Sequence, residues 1–249
     1  MRPNASSLER LVPDDLTEDG ATGHETLTLH LERYELASRH ARTGRVLDIA
    51  CGVGYGARLL RDQLDESSEI VGVDLSPDAT AYASSRYGVP GLRFVTADAL
   101  EFEDPEGFDT IVSLETIEHV PDPEALAARL VGMLRRSGVL IASVPTTPSV
   151  DVNTHHLSDF TERSYRRLFE ARGLREIAHL RQVQPFHPWA VLRRGEQRMS
   201  DLRPNLLRYY TRNPAAAVHR LSATLRYGFT NRYLTSVWEH DDNPPSGTR

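Results

Sequence analysis

The chain contains no lysine: all 29 of its basic residues are arginine. That excludes any mechanism built on a catalytic lysine. It has one cysteine, Cys51, so no internal disulfide can form and a reducing compartment is expected. No apolar run reaches the roughly 18 residues of a membrane-spanning helix. The first residues, Met1 to Pro13, carry an arginine but no apolar centre, which argues against a secretory signal. A soluble, cytoplasmic protein is therefore the expectation. Positive charge is also in deficit, with 29 basic against 35 acidic residues and a net charge of −6. That weighs against non-specific nucleic-acid binding, which needs clustered cations. No internal repeat is visible.

What is present is ordinary for a globular domain: 249 residues, 39% hydrophobic and 26% charged. This fits one large domain, or one domain with elaborations. Residues 1–22 read as a polar lead-in and 24–42 as a helix stopped by Gly44. Short apolar segments then alternate with helical ones. Strands are expected at 45–50, 70–74, 92–96, 108–114, 139–144 and 174–180. Helices are expected at 55–64, at 77–87 with Ser76 as N-cap, from the Asp122-Pro123 cap through Arg136, and at 161–171. Several strands are continuous apolar runs, the mark of a parallel sheet covered on both faces. The expected fold class is α/β, with a Rossmann-like, largely parallel seven-stranded sheet. Such sheets bind ligands at the carboxyl ends of their strands, so chemistry is sought there.

The first strand runs into Asp48-Ile49-Ala50-Cys51-Gly52-Val53-Gly54-Tyr55-Gly56. Glycines let the backbone approach a ligand, and the next helix offers its N-terminus. Asp74 ends the second strand, where a carboxylate can accept hydrogen bonds from ribose hydroxyls. Gly52, Gly54 and Ala57 also satisfy the dinucleotide pattern G-x-G-x-x-A, so the glycines alone leave two cofactors open. Asp48 weighs between them. A carboxylate entering the turn would repel a dinucleotide phosphate but not a cofactor with an amino group and a sulfonium centre.

The segment D-x-A-C-G-x-G-x-G resembles the first motif of the class I S-adenosylmethionine-dependent methyltransferases, and further pieces follow in that family's order over about residues 44–182. The resemblance implies S-adenosylmethionine as cofactor. It implies that Asp48, Ala50, Cys51, Gly52 and Gly54 surround the methionine part, Asp74 and Leu75 the ribose, and Asp98 and Ala99 the adenine. Cys51 then reads as part of the turn, since no methylated-enzyme intermediate is needed. The helix 24–42 would close over the cofactor, with an arginine or Tyr34 meeting the methionine carboxylate. It would equally serve as a plain amphipathic cover.

Just after the fourth strand stands Glu115-Thr116-Ile117-Glu118-His119. Two carboxylates and an imidazole so close in sequence could ligate a divalent cation such as Mg²⁺. The E-x-x-E-H form resembles the ubiquinone-biosynthesis O-methyltransferases and the small-RNA terminal 2′-O-methyltransferases. Those families add a histidine after the fifth strand, for which His155 and His156 are candidates. The resemblance thus offers Glu115, Glu118, His119 and His156 as metal ligands, with Glu115 also near the cofactor. Metal-free relatives leave two other readings: His119 as general base beside Glu118, and a structural brace.

Residues 186–232 hold nine arginines against Glu196 and Asp201, interleaved with aromatics. They read as a solvated helical surface, an acceptor lid or a homodimer contact. Leu234–Glu239 reads as a last strand returning to the sheet, and 243–249 as a disordered tail. The expected organisation is a lead-in and cap helix at 1–43, a cofactor-binding core at 44–182 and an arginine-rich elaboration at 183–249. The expected activity is O-methylation of a small-molecule hydroxyl, such as one on a sugar of a glycosylated secondary metabolite, with no nucleic-acid or membrane partner. N-methylation of an amino sugar and NAD(P)-dependent oxidoreduction are the alternatives.

Overall fold

The computed structural model describes residues 21–149, 153, 155–186, 206–228 and 230–242. Residues 1–20 of the polar lead-in, the tail and the arginines between 187 and 205 lie outside the described residues, and residues 21 and 22 of that lead-in open α1. The elements in chain order are α1 Ala21–His40, β1 Arg45–Ile49, α2 Tyr55–Gln63, β2 Glu69–Asp74, α3 Pro77–Tyr87, β3 Leu92–Thr96 and β4 Phe108–Ser113. A 3₁₀ turn at Ile117–His119 leads to α4 Pro123–Met133, β5 Leu134–Pro145, α5 Glu162–Glu170 and β6 Leu174–Pro185. Two further helices, α6 Leu206–Arg212 and α7 Pro214–Tyr227, precede β7 Thr230–His240. The strands form one seven-stranded sheet in the order β3-β2-β1-β4-β5-β7-β6. β1 through β5 are parallel, and β7 is antiparallel to both β5 and β6.

Strand side chains alternate between faces, and the continuous apolar runs fill a core on each. Leu47, Ile49, Leu140, Ala142 and Trp238 pack with Leu126 and Leu130 of α4 and Tyr165 and Phe169 of α5. The intervening Val46, Val139, Ile141 and Val237 pack with Tyr34 and Ala37 of α1 and Ala57 and Leu60 of α2. Local chemistry starts the helices where expected. The Ser76 hydroxyl accepts from the Ala79 amide, and the Asp122 carboxylate accepts from the Ala125 amide at 2.9 Å. Thr161 and Ser164 form a reciprocal capping box on α5.

Several boundaries differ from the sequence reading, and α1 spans Ala21–His40 rather than 24–42. α4 ends at Met133, not Arg136, because residues from Leu134 onward pair with β4. Arg135 is drawn along that strand, donating to Asp109 at 2.6 Å and to the Glu106 carbonyl at 3.1 Å. The last two strands are also longer than 174–180 and 234–239. They pair from Leu174↔His240 to Pro185↔Thr230. Their far ends carry Gln182, Gln184 and Asn231, polar residues that hide a strand from a hydrophobicity reading.

Candidate active site

The topology collects five strand ends at one edge of the sheet. The segments after β1 (Ala50–Val53), β2 (Asp74, Leu75), β3 (Ala97–Ala99), β4 (Leu114–Val120) and β5 (Pro145, Ser149) line one cavity of about 320 Å³. Because β7 runs antiparallel, its beginning rather than its end reaches this edge, adding Asn231 and Tyr233. α1 closes the side with Thr26, His30, Arg33 and Tyr34.

One half of the cavity is built on the glycine turn. Gly52 has φ 58°, and a Cβ there would meet nothing within 4 Å. Its amide donates to Asp74 Oδ2 at 2.9 Å, while Asp74 Oδ1 accepts from the Ser76 amide at 2.9 Å. The Asp74 carboxylate is thereby held rigid at the cavity wall. Asp98 is fixed similarly, one oxygen accepting from the Leu100 amide at 2.8 Å. Leu75 lies at the rim with 59% of its surface exposed, an apolar side chain that a bound ring would cover. Among the described residues, Ala50 and Glu115 are the non-glycine residues with positive φ, 59° and 48°. Such backbone costs about 1–3 kcal/mol each and concentrates at functional sites; Ala50 directly follows β1 and Glu115 stands two residues after β4, and both line the cavity.

Two residues expected at the ligand are placed elsewhere. Gly54 does not line the cavity; its φ is 86° and a Cβ would stand 2.6 Å from Ala83 and 2.7 Å from the Phe94 ring. It is a glycine so that α2 can start against α3 and β3. Asp48 is also behind the wall. It is 1% exposed and accepts from the Tyr34 hydroxyl at 3.2 and 3.3 Å. Burial pushes its carboxyl up to about 7, against the hydrogen bond from Tyr34, with Asp74 adding repulsion. Burial likewise drives the Tyr34 hydroxyl well above its usual range.

The other half centres on His119. Its Nδ1 lies 3.1 Å from the His155 carbonyl, which can only accept, so Nδ1 carries the hydrogen. In the neutral ring Nε2 then holds the lone pair. Glu118, 0% exposed, places Oε1 3.9 Å from that Nε2. The His156 ring stacks edge-on against His119 with centroids 4.7 Å apart, and its Nδ1 lies 2.5 Å from Ser149 Oγ. The Glu118 carbonyl accepts from the Leu157 amide at 2.8 Å, tying the post-β5 loop to the turn. Glu118, His119 and His156 offer donor atoms within 4.8 Å of one another.

Glu115 stands apart from that cluster. Its Oε1 accepts from Ser143 Oγ at 2.8 Å and lies 3.3 Å from Arg33 Nη1. Arg33 is 1% exposed, donates from Nε to Gln182 at 2.7 Å, and stacks 4.5 Å over the Tyr233 ring. Of this group, Gln182, Ser143 and Tyr233 escaped sequence reasoning. One signal existed: Gln182 and Gln184 continue the alternation of the partly buried Ala178 and Leu180 along β6, and both are buried.

Residues 47–142 match the family model described as methyltransferase domain. That match makes this segment a methyltransferase domain, and the sheet order agrees with it. Among curated relatives, a phthiotriol/phenolphthiotriol dimycocerosates methyltransferase of Mycobacterium ulcerans is 34% identical over 116 residues, covering 45% of this chain and 42% of its own. A ubiquinone biosynthesis O-methyltransferase of Xanthomonas euvesicatoria is 30% identical over 148 residues, covering 51% and 59%. The chain thus spans about half the length of these relatives. The N-methyltransferase NodS of Bradyrhizobium japonicum, solved with S-adenosyl-L-homocysteine, superposes with a TM-score of 0.61 at 15% identity, covering 93% of this chain and 95% of that one. At that identity the likeness is one of fold.

Proposed function

We propose that this protein methylates a hydroxyl oxygen of an uncharged small molecule, using S-adenosylmethionine. The observation that carries the reading is the orientation of His119, whose Nδ1 is committed to the His155 carbonyl, in the same cavity as the glycine turn and Asp74. The cofactor fits the charge of the cavity. Four carboxylates line it, Asp74, Asp98, Glu115 and Glu118, and the described arginine among them, Arg33, is held on Glu115. When bound, the cofactor supplies an electrophilic methyl group on a positively charged sulfur. Gly52 and Ala50 would provide backbone for close approach, Asp74 with Leu75 would hold the ribose, and Asp98 with Ala99 the adenine. Asp48 acts through Tyr34, positioning α1 over the methionine end.

His119 Nε2 would take the proton that the acceptor hydroxyl loses, and the Glu118 carboxylate would favour the resulting imidazolium. Ser149, Asn153, Asn231 and Tyr233 surround this half with uncharged hydrogen-bonding groups, suited to a polyhydroxylated acceptor such as a sugar of a secondary metabolite. A carboxylate or phosphate acceptor would face unfavourable charge.

The cluster of Glu118, His119 and His156 supports a second reading. One carboxylate and two imidazoles are a fitting donor set for a divalent cation. A metal there would lower the pKa of a bound hydroxyl, with Glu115 remaining on Arg33. The two readings compete for the same Nε2 lone pair, so chelation separates them. The test is calorimetric titration with S-adenosylhomocysteine beside NAD⁺, then methyl transfer to hydroxyl and amine acceptors with and without EDTA. Micromolar S-adenosylhomocysteine binding and hydroxyl turnover that survives EDTA are expected. Turnover abolished by EDTA and restored by Mg²⁺ would replace the base reading with the metal one. Turnover of amines alone would make the enzyme an N-methyltransferase, and no S-adenosylhomocysteine binding would overturn both.

A further inference from the structure

The helix α7 is inverted relative to an ordinary surface helix. Its large aliphatic side chains point outward: Val218 is 67% exposed, Leu221 61% and Leu225 80%. The spacing of three and four residues places them in one stripe along the helix. Isolated exposed apolar residues need no explanation, but a continuous stripe marks a contact surface. The chemistry around it is one-signed. Residues 206–232 hold five arginines and no acidic residue, in a chain of net charge −6. Arg212 and Arg226 are exposed, and the Arg226 and Arg232 guanidinium groups both lie 5.5 Å over the Tyr227 ring.

We propose that α7 is an interfacial helix that docks the protein on an anionic lipid surface. An apolar stripe flanked by arginines is the pattern of helices that lie in the plane of a bilayer. The stripe enters the acyl boundary while the arginines meet anionic headgroups. A second copy of the chain is a poorer occupant, because a two-fold contact through this face would bring arginines together with no acid in 206–232 to pair them. The lack of a helix able to span a membrane among the described residues bears on crossing, not on surface binding. The docking element is joined directly to the cavity: Asn231, which lines it, follows Tyr227 by only four residues, a reach of at most about 14 Å. The inference rests on this surface alone and holds whatever the acceptor chemistry.

The test is co-sedimentation of the full chain with vesicles of phosphatidylcholine alone and of phosphatidylcholine with about one third phosphatidylglycerol. Binding to the anionic vesicles only is expected, weakened by about 0.5 M salt. The variant Leu221→Asp/Leu225→Asp should lose at least about tenfold in vesicle affinity, and Arg226→Glu should weaken it severalfold. Titration with S-adenosylhomocysteine checks folding, since these exposed positions lie outside the cavity. Should the leucine pair disturb the fold, Leu225→Gln carries the same expectation at smaller amplitude. Equal binding to both vesicles, no binding to either, or a dimer abolished by the leucine variant without vesicle binding would each overturn the proposal.

Discussion

At the scale of single residues, burial sets the behaviour of Asp48. Its carboxyl is pushed up to about 7, whereas the unfolded chain ionises near the ordinary value of about 3.9. The folded state therefore keeps the proton while the unfolded state releases it. Stability from this group is full below about pH 4, falls between about pH 4 and 7, and is flat above, with an upper figure of about 4 kcal/mol. Asp48→Asn mimics the protonated form and can still accept from Tyr34. It should melt higher than the parent at pH 8, with the gap closing toward pH 4; equal gaps at both pH values would contradict the assignment. His119 gives a kinetic counterpart. His119→Ala should lower kcat by about 10²–10⁴-fold while S-adenosylhomocysteine affinity stays within about threefold, because His119 faces the acceptor half. A parallel loss of cofactor affinity would make it a brace instead.

Between elements, contact distance decides which substitutions the site tolerates. α2 and α1 meet at Gly56, where a Cβ would stand 1.9 Å from the Tyr34 ring and 2.3 Å from its hydroxyl oxygen. Gly56→Ala must push Tyr34 and its helix outward and break the hydrogen bond to Asp48. A cost of about 1–3 kcal/mol is expected, together with weaker cofactor binding. Adding Tyr34→Ala removes the clash, so the double variant should cost less than the sum of the two single ones. Urea unfolding of the set measures this, and strict additivity would show that the ring is not the obstacle. The glycines of the turn thus serve different ends: Gly52 opens toward the cavity, while Gly54 and Gly56 let elements approach.

Across the whole molecule, Arg33 joins what the chain separates most. It sits on α1, bonds Gln182 on β6, stacks on Tyr233 of β7 and pairs with Glu115 after β4. Removing one partner of a buried pair leaves the other uncompensated, so Arg33→Leu should cost about 3–5 kcal/mol. Arg33→Leu/Glu115→Gln should recover much of that, measured by urea unfolding; no recovery would place the cost in lost packing on Tyr233. The same network keeps Glu115 away from the cluster of Glu118, His119 and His156, so the E-x-x-E-H pattern presents one of its carboxylates to a different partner.

The sheet class and the edge of the sheet that forms the cavity were legible in the chain alone, because each depends on short-range signals. Apolar runs mark β1, β2, β4 and β5, caps mark α3, α4 and α5, and glycines mark the turn after β1. The roles within the site were not legible. Whether Gly54 touches a ligand or a helix, whether Asp48 faces a cavity or Tyr34, and whether Glu115 joins His119 or Arg33 depend on side chains far apart in sequence. The ends of β6 and β7 were hidden for a related reason: Gln182 and Gln184 read as surface residues until Arg33, Thr26 and Tyr233 are folded against them. Short-range pattern determined which elements form and where the ligand edge lies. Only packing between distant elements decided what each polar group in that edge is bonded to, since a buried donor or acceptor takes its partner from whatever the fold brings within about 3 Å.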